Sequence, residues 1–198
     1  VINTPLGMMN VDVYSNNINI KDILDIKITI DELPNKFGTL FEVDKRFKIQ
    51  VYVRIIKDLN EELHIECKFN PINNVIDSGI RNGIDTGIES GENLDLKSWH
   101  YKSLKLSIEA EDGCSLYNRA VHSKDMPKRL EEYFDEKYCD GYILVNTPKY
   151  LDYGIRVSLP NLESGEYAII MFGTAWINMT SPDIQDIYTW FVADVTMM

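Results

Sequence analysis

Apolar and polar residues alternate with a period of two through most of this chain. Phe47, Ile49, Val51, Val53 and Ile55 are interleaved with Lys48, Gln50, Tyr52 and Arg54. That spacing places the apolar set on one face of a β-strand. The same alternation runs through Ile26–Ile30, Leu63–Phe69, Leu104–Ala110 and Ile155–Leu159. Shorter segments of the same kind are Met9–Tyr14, Leu40–Val43 and Tyr142–Val145, whereas Tyr167–Ile177 and Tyr188–Val195 are apolar on both faces and read as central strands. Clean alternation belongs to antiparallel sheets with one wetted face.

Turn residues punctuate these runs. Asp58-Leu59-Asn60-Glu61 separates two alternating strands and predicts a hairpin, and Pro160 to Gly165 joins Ile155–Leu159 to Tyr167–Ile177 in the same manner. One helix is predicted near 125–138. Asp125 is its cap, Pro127 lies in the first turn, and Leu130, Tyr133, Phe134 and Tyr138 form its apolar stripe. The expected fold is mainly β, with α+β as the variant: an antiparallel β-sandwich of roughly ten strands and one amphipathic helix.

A tetrapeptide repeat interrupts the pattern. Asp77-Ser78-Gly79-Ile80, Arg81-Asn82-Gly83-Ile84 and Asp85-Thr86-Gly87-Ile88 are followed by Glu89-Ser90-Gly91-Glu92. As a helix this segment would suffer about 1 kcal/mol per interior glycine relative to alanine. Its Asp/Asn-Gly-type units are good turn formers, so a loop is expected. The chain then reads as a single domain over 1–198, with a Gly/Ile-repeat connection at 73–95 between two strand-rich halves.

Composition narrows the functional classes. The chain has 198 residues, 44% hydrophobic and 26% charged, which suffices for a sizeable core. A net charge of −11 argues against nucleic acid or an anionic membrane as partner and leaves a basic protein plausible. Cys67, Cys114 and Cys139 are odd in number, so they form no fully paired disulfide framework and suit a reducing, cytoplasmic setting. Val1–Asn10 lacks a signal-peptide pattern, and Tyr167–Ile177 is too short to span a bilayer as a helix.

No reaction centre emerges. Asp77-Ser78-Gly79 and Asp85-Thr86-Gly87 resemble the Asp-Ser/Thr-Gly signature of aspartic proteases, but that chemistry needs two carboxylates sharing a proton, and both triplets lie within one repeat. His64 and Cys67 are three apart in an alternating strand, hence on opposite faces. His64, His100 and His122 have no motif partner, and neither a nucleophile elbow nor a phosphate loop is present. His64 is expected on a wet sheet face. No catalytic residue, metal site or cofactor is assigned.

Two candidate binding surfaces remain. One is aromatic, with Trp99 and Tyr101 beside a strand and Tyr150 and Tyr153 in a loop; such rings can stack on a partner or a sugar, or serve as edges of the core. The other is acidic, with Glu131, Glu132, Asp135 and Glu136 on the predicted helix and Asp112, Asp152, Asp183 and Asp186 elsewhere. The resulting expectation is a non-enzymatic protein-binding domain. Its sharpest form is a bacterial immunity-type inhibitor masking a basic toxin or nuclease. The alternatives are a carbohydrate-binding or carbohydrate-processing β-sandwich, or a virion or appendage subunit in which the repeat is a self-association arm.

Overall fold

The computed structural model describes residues 1–37, 41–85, 93–111, 128 and 148–178. Strands dominate them: β1 (Ile2–Thr4), β2 (Gly7–Tyr14), β3 (Leu24–Leu33), β4 (Lys36–Phe37), β5 (Phe41–Glu42), β6 (Lys45–Ile55), β7 (Leu63–Pro71), β8 (Ile76–Asp85), β9 (Asn93–Tyr101), β10 (Leu104–Glu111), β11 (Lys149–Leu151), β12 (Gly154–Leu159) and β13 (Tyr167–Asn178). A single 3-10 turn, Ile20–Asp22, is capped by the Asn19 side chain, which accepts from the Lys21 N–H. The helix expected near 125–138 lies outside the described residues, Lys128 excepted, as do the segments Tyr142–Val145 and Tyr188–Val195.

Two antiparallel sheets carry the fold, in the orders β1-β2-β7-β12-β11 and β3-β6-β13-β10-β9-β8, with β4 and β5 as a separate ribbon. The alternation decides which face each strand buries. Ile49, Val51, Val53 and Ile55 of β6 meet Ile65, Cys67 and Phe69 of β7 in one apolar cluster, together with Leu106 and Ile108 of β10, Val157 of β12 and Ile170 and Phe172 of β13. Both sheets therefore turn their apolar faces inward onto a shared core. Burying side chains of this size stabilises the fold by about 1.5–3 kcal/mol each.

The hairpins expected at 58–61 and 160–165 are not formed. β6 lies in the six-stranded sheet and β7 in the five-stranded one, and β12 and β13 are divided in the same way. Both connections are arches that carry the chain across the core. Period-two alternation fixes the face of a strand but not its lateral partner, and a strand facing its neighbour across a core has the same pattern as one beside it. The arches are fastened to each other. Leu59 and Leu162 exchange backbone hydrogen bonds of 2.8 and 3.1 Å, and both side chains are buried. Ser164 adds bonds to the Asp58 carboxylate and the Ile56 carbonyl, each 2.8 Å. The β2–β3 connection crosses at the same end, where the Ile23 carbonyl accepts from the Ile56 N–H at 2.7 Å.

The glycine repeat is neither helix nor loop as far as Asp85. It is the edge strand β8, paired antiparallel with β9 through two register shifts, between Asp77 and Gly79 and between Arg81 and Ile84. Gly79 takes a left-handed φ of 114°, and its N–H donates to the Asp77 carboxylate at 2.8 Å. Glycine there permits the bulge that a side chain would strain. A closer constraint operates at Gly154, where a Cβ would collide with the Cys67 carbonyl of the neighbouring strand.

Truncating the arch plug tests this arrangement. Leu162→Ala should destabilise the protein by about 2–5 kcal/mol in urea unfolding, and Leu59→Ala by a similar amount. The double variant should lose less than the sum, because the two residues share one contact. Unchanged unfolding midpoints would contradict the arch.

Candidate functional site

The expected aromatic surface is only partly assembled. Trp99 has no exposed area; it packs edge-on against Phe69 at 5.1 Å between ring centroids and donates its indole N–H to the Asp152 carbonyl at 2.8 Å. Its apolar ring serves the core and its polar tip is satisfied, as a buried indole requires. Tyr153 touches the other side of Phe69 at 5.7 Å and is exposed. Tyr150 is half-buried against the core. Tyr101, at the end of β9 in the other sheet, lies under the Lys102 ammonium at 5.2 Å. Of the four residues, Tyr153 alone is exposed. Glu131, Glu132, Asp135 and Glu136 lie outside the described residues.

The protease-like triplets cannot converge. Asp77 and Asp85 belong to one strand, eight residues or roughly 26 Å apart at strand rise. Asp77 instead pairs with the Lys97 ammonium at 2.9 Å, and Lys97 also donates to the Leu151 carbonyl at 2.7 Å. Burial raises the Asp77 pKa, but the Lys97 and Gly79 hydrogen bonds outweigh it and hold the pKa below the usual value.

A polar lattice covers the outer face of the five-stranded sheet, and it corrects the expected wet position of His64. Cross-strand register aligns Tyr14 with His64 and His64 with Ser158, then Asp12 with Glu66 and Glu66 with Arg156. His64 is only 5% exposed, between the tilted Tyr14 ring at 5.2 Å, Ser158 Oγ at 2.8 Å and Asn16 Nδ2 at 3.2 Å. Asn16 and Ser158 thus occupy the two ring nitrogens, Nε2 and Nδ1. Cys67, next along β7, points into the core as its spacing requires, and burial pushes its thiol up to about 12.

Glu66 is the hub of the lattice. Its carboxylate accepts from Tyr14 Oη at 2.6 Å, Arg156 Nε at 2.7 Å and Lys68 Nζ at 2.9 Å, with Arg156 Nη2 also at 2.6 Å. Burial disfavours the charged form, but the three hydrogen-bonding partners overcome it and bring the pKa down to about 2. Through one carboxylate these bonds join β2, β7 and β12. The sequence signal was an acidic and a basic residue at outward positions of two alternating strands.

Comparison with protein-family models, curated proteins and solved structures finds no match. The site is therefore read from geometry alone. Among the described residues no group of three His, Cys, Asp or Glu converges as metal ligands would, and no helix is long and apolar enough to cross a membrane.

The least satisfied surface is apolar. Between β2 and β3 a cleft of about 210 Å³ is lined by Val1, Ile2, Met9, Val11, Ile28, Ile30 and Ile49, with Asn10 as its polar member. It continues into a wider groove of about 610 Å³ beside Thr4, Lys45, Phe47 and Trp176. Ile28 and Ile30 are 40% and 36% exposed although they lie on the core face of β3, opposite Val51 and Ile49. Sequence pattern found this face but not its position at an edge. The only hint was the charged set Asp25, Lys27 and Asp31 on the alternate positions.

Acid tests the lattice. A carboxylate held at about 2 against 4.5 when free binds fewer protons folded than unfolded, so its contribution is complete above pH 4.5 and is lost as pH falls through 2. Glu66→Gln should lower stability at pH 7 by about 3 kcal/mol, since it strands the Arg156 charge. It should also flatten the acid limb of the stability curve between these pH values. An unaltered acid limb would contradict the hub role.

Proposed function

We propose that this chain is a non-enzymatic protein-binding domain, a β-sandwich whose open flank receives an apolar part of a partner. The observation that carries the reading is the exposure of Ile28 and Ile30 over the cleft between the sheets. Apolar surface exposed beside a concave, apolar-lined opening marks an interaction site more often than scattered single residues do. The polar lattice adds weight, because Glu66, its central carboxylate, is occupied by bonds that join three strands.

The net charge of −11 supports a basic partner, since opposite charge accelerates encounter and suppresses wrong partners. The sharper form of the reading is an immunity-type inhibitor that masks a basic toxin or nuclease in the cytoplasm. Burial of Trp99 removes one ring from the sugar-binding alternative. The exposed Ile76 and Ile80 of β8 are the feature that favours a self-associating subunit, but register shifts break up that edge.

Affinity capture from the source lysate, at low and then high salt, tests the reading when the wild type is compared with Ile28→Asp/Ile30→Asp. The wild type should retain one basic protein at stoichiometric yield and release it in salt. The variant should retain none, with an unfolding midpoint close to wild type because both side chains are partly exposed. Equal capture by the variant, or empty capture by both, would count against the open flank.

A further inference from the structure

We infer that β3 binds its partner by strand addition: an extended segment of a basic protein pairs antiparallel along the outer edge of β3 and sets alternate apolar side chains into the cleft. This rests on the protein-binding reading and specifies its mode.

The backbone supplies the first argument. Among the described residues β3 is the outermost strand on its side of the six-stranded sheet. It pairs with β6 without a register shift over its whole length, Leu24 opposite Ile55 to Leu33 opposite Arg46. The Ile23 carbonyl accepts from the Ile56 N–H directly opposite, and narrow and wide pairs alternate along an antiparallel ladder. The N–H and C=O groups of Asp25, Lys27, Thr29 and Asp31 therefore face β6. Those of Leu24, Ile26, Ile28, Ile30 and Glu32 face outward. The other flank agrees, for the Ile55 N–H donates to Glu166, toward β13. A regular row of outward groups is a template for another strand. β8, at the far side of the same sheet, is a poorer template because two bulges displace its ladder.

The side chains supply the second argument. An added strand would continue both faces of the sheet. Its inward side chains would lie beside Ile28 and Ile30 and opposite Ile2, Met9 and Val11, filling the cleft. Its outward side chains would lie beside Asp25, Lys27, Thr29 and Asp31, with Glu32 and Asp44 also exposed near the groove. Arg54 and Lys48 of β6 stand opposite Asp25 and Asp31, and Lys45 pairs with Glu32 at 3.0 Å, so the local charges nearly balance. The basic character of the occupant follows instead from the net charge of −11, which favours lysine or arginine at the positions that alternate with its apolar side chains.

Synthetic ten-residue peptides test the mode on the intact protein by titration calorimetry. A peptide of alternating Val and Lys should bind, and its Val/Glu counterpart should bind at least about tenfold more weakly at low salt. Two further Val/Lys peptides carry backbone N-methyl groups on one or the other alternate set of residues. Methylation of the set that donates to β3 should abolish binding, and methylation of the other set should leave it. Ile28→Asp should abolish binding and Ile80→Asp should not. Equal behaviour of the two methylated peptides would overturn strand addition alone, leaving protein capture through Ile28 and Ile30 to stand or fall separately. Loss with Ile80→Asp instead would move the site to β8 and overturn the proposal. Failure of the Val/Lys peptide to bind, or sedimentation showing that β3 pairs with a second copy of the chain, would overturn it as well.

Discussion

The constraint on which this structure depends is the coupling of its crossing connections. Leu59 and Leu162 hold the β6–β7 and β12–β13 arches together through reciprocal backbone bonds, and the chain before β3 is tied to the same end through Ile23 and Ile56. Each arch forces two consecutive strands to face one another instead of lying side by side. Two apolar strand faces then meet across about 10 Å, the spacing of packed sheets. Two neighbouring arches also make β6 and β13 partners in one sheet and β7 and β12 partners in the other. A single local device thus fixes the layer separation and one neighbouring pair in each sheet. At the other end Trp99 and Lys97 of the six-stranded sheet reach the Asp152 and Leu151 carbonyls beside β12, and the cleft opens along the opposite flank, between β2 and β3.

The second ordering element is electrostatic and lies on the opposite side of the five-stranded sheet from the core. Glu66 sits on β7, between β2 and β12, and its partners come from both neighbours: Tyr14 from one and Arg156 from the other. A buried carboxylate with a single partner would not repay its desolvation; three charge-assisted or short hydrogen bonds do. This lattice fixes the register of three strands, since a one-residue slip would turn Glu66 into the core and Cys67 out. The apolar flank, with its exposed isoleucines and outward backbone groups, is where we propose that a partner binds.

Much of the fold was legible in the sequence, and the gaps have physical causes. Alternation located β3, β6, β7, β10 and β12 and the face each one buries, because period two follows directly from strand geometry, and β13 was legible as an apolar run with no preferred face. It could not distinguish the arches at 56–62 and 160–166 from hairpins, since the choice lies in the lateral partner. In the Gly/Ile repeat, local turn propensity pointed to a loop. Pairing with β9 overrode it by absorbing Gly79 into a bulge. Trp99 could be read as a stacking ring or as an edge of the core; it is the latter, and the partners that decide it, Phe69 and Asp152, are distant in sequence. His64 failed in the opposite sense: it has the polar outward position the pattern indicates, but Tyr14, Asn16 and Ser158 close over it. The exposed edge of β3 was invisible for the same reason as the arches. Nothing local to Ile28 or Ile30 reports whether a neighbouring strand lies beyond them.

Amide hydrogen exchange along β3 in the free protein tests the central claim most directly, because it reads the edge without any ligand. The account predicts alternation: slow exchange at Lys27, Thr29 and Asp31, whose N–H groups face β6, and fast exchange at Ile26, Ile28 and Ile30, whose N–H groups face outward. Uniform protection along β3 in the monomer would show that the edge is already paired, and would contradict both the open flank and the binding mode built on it.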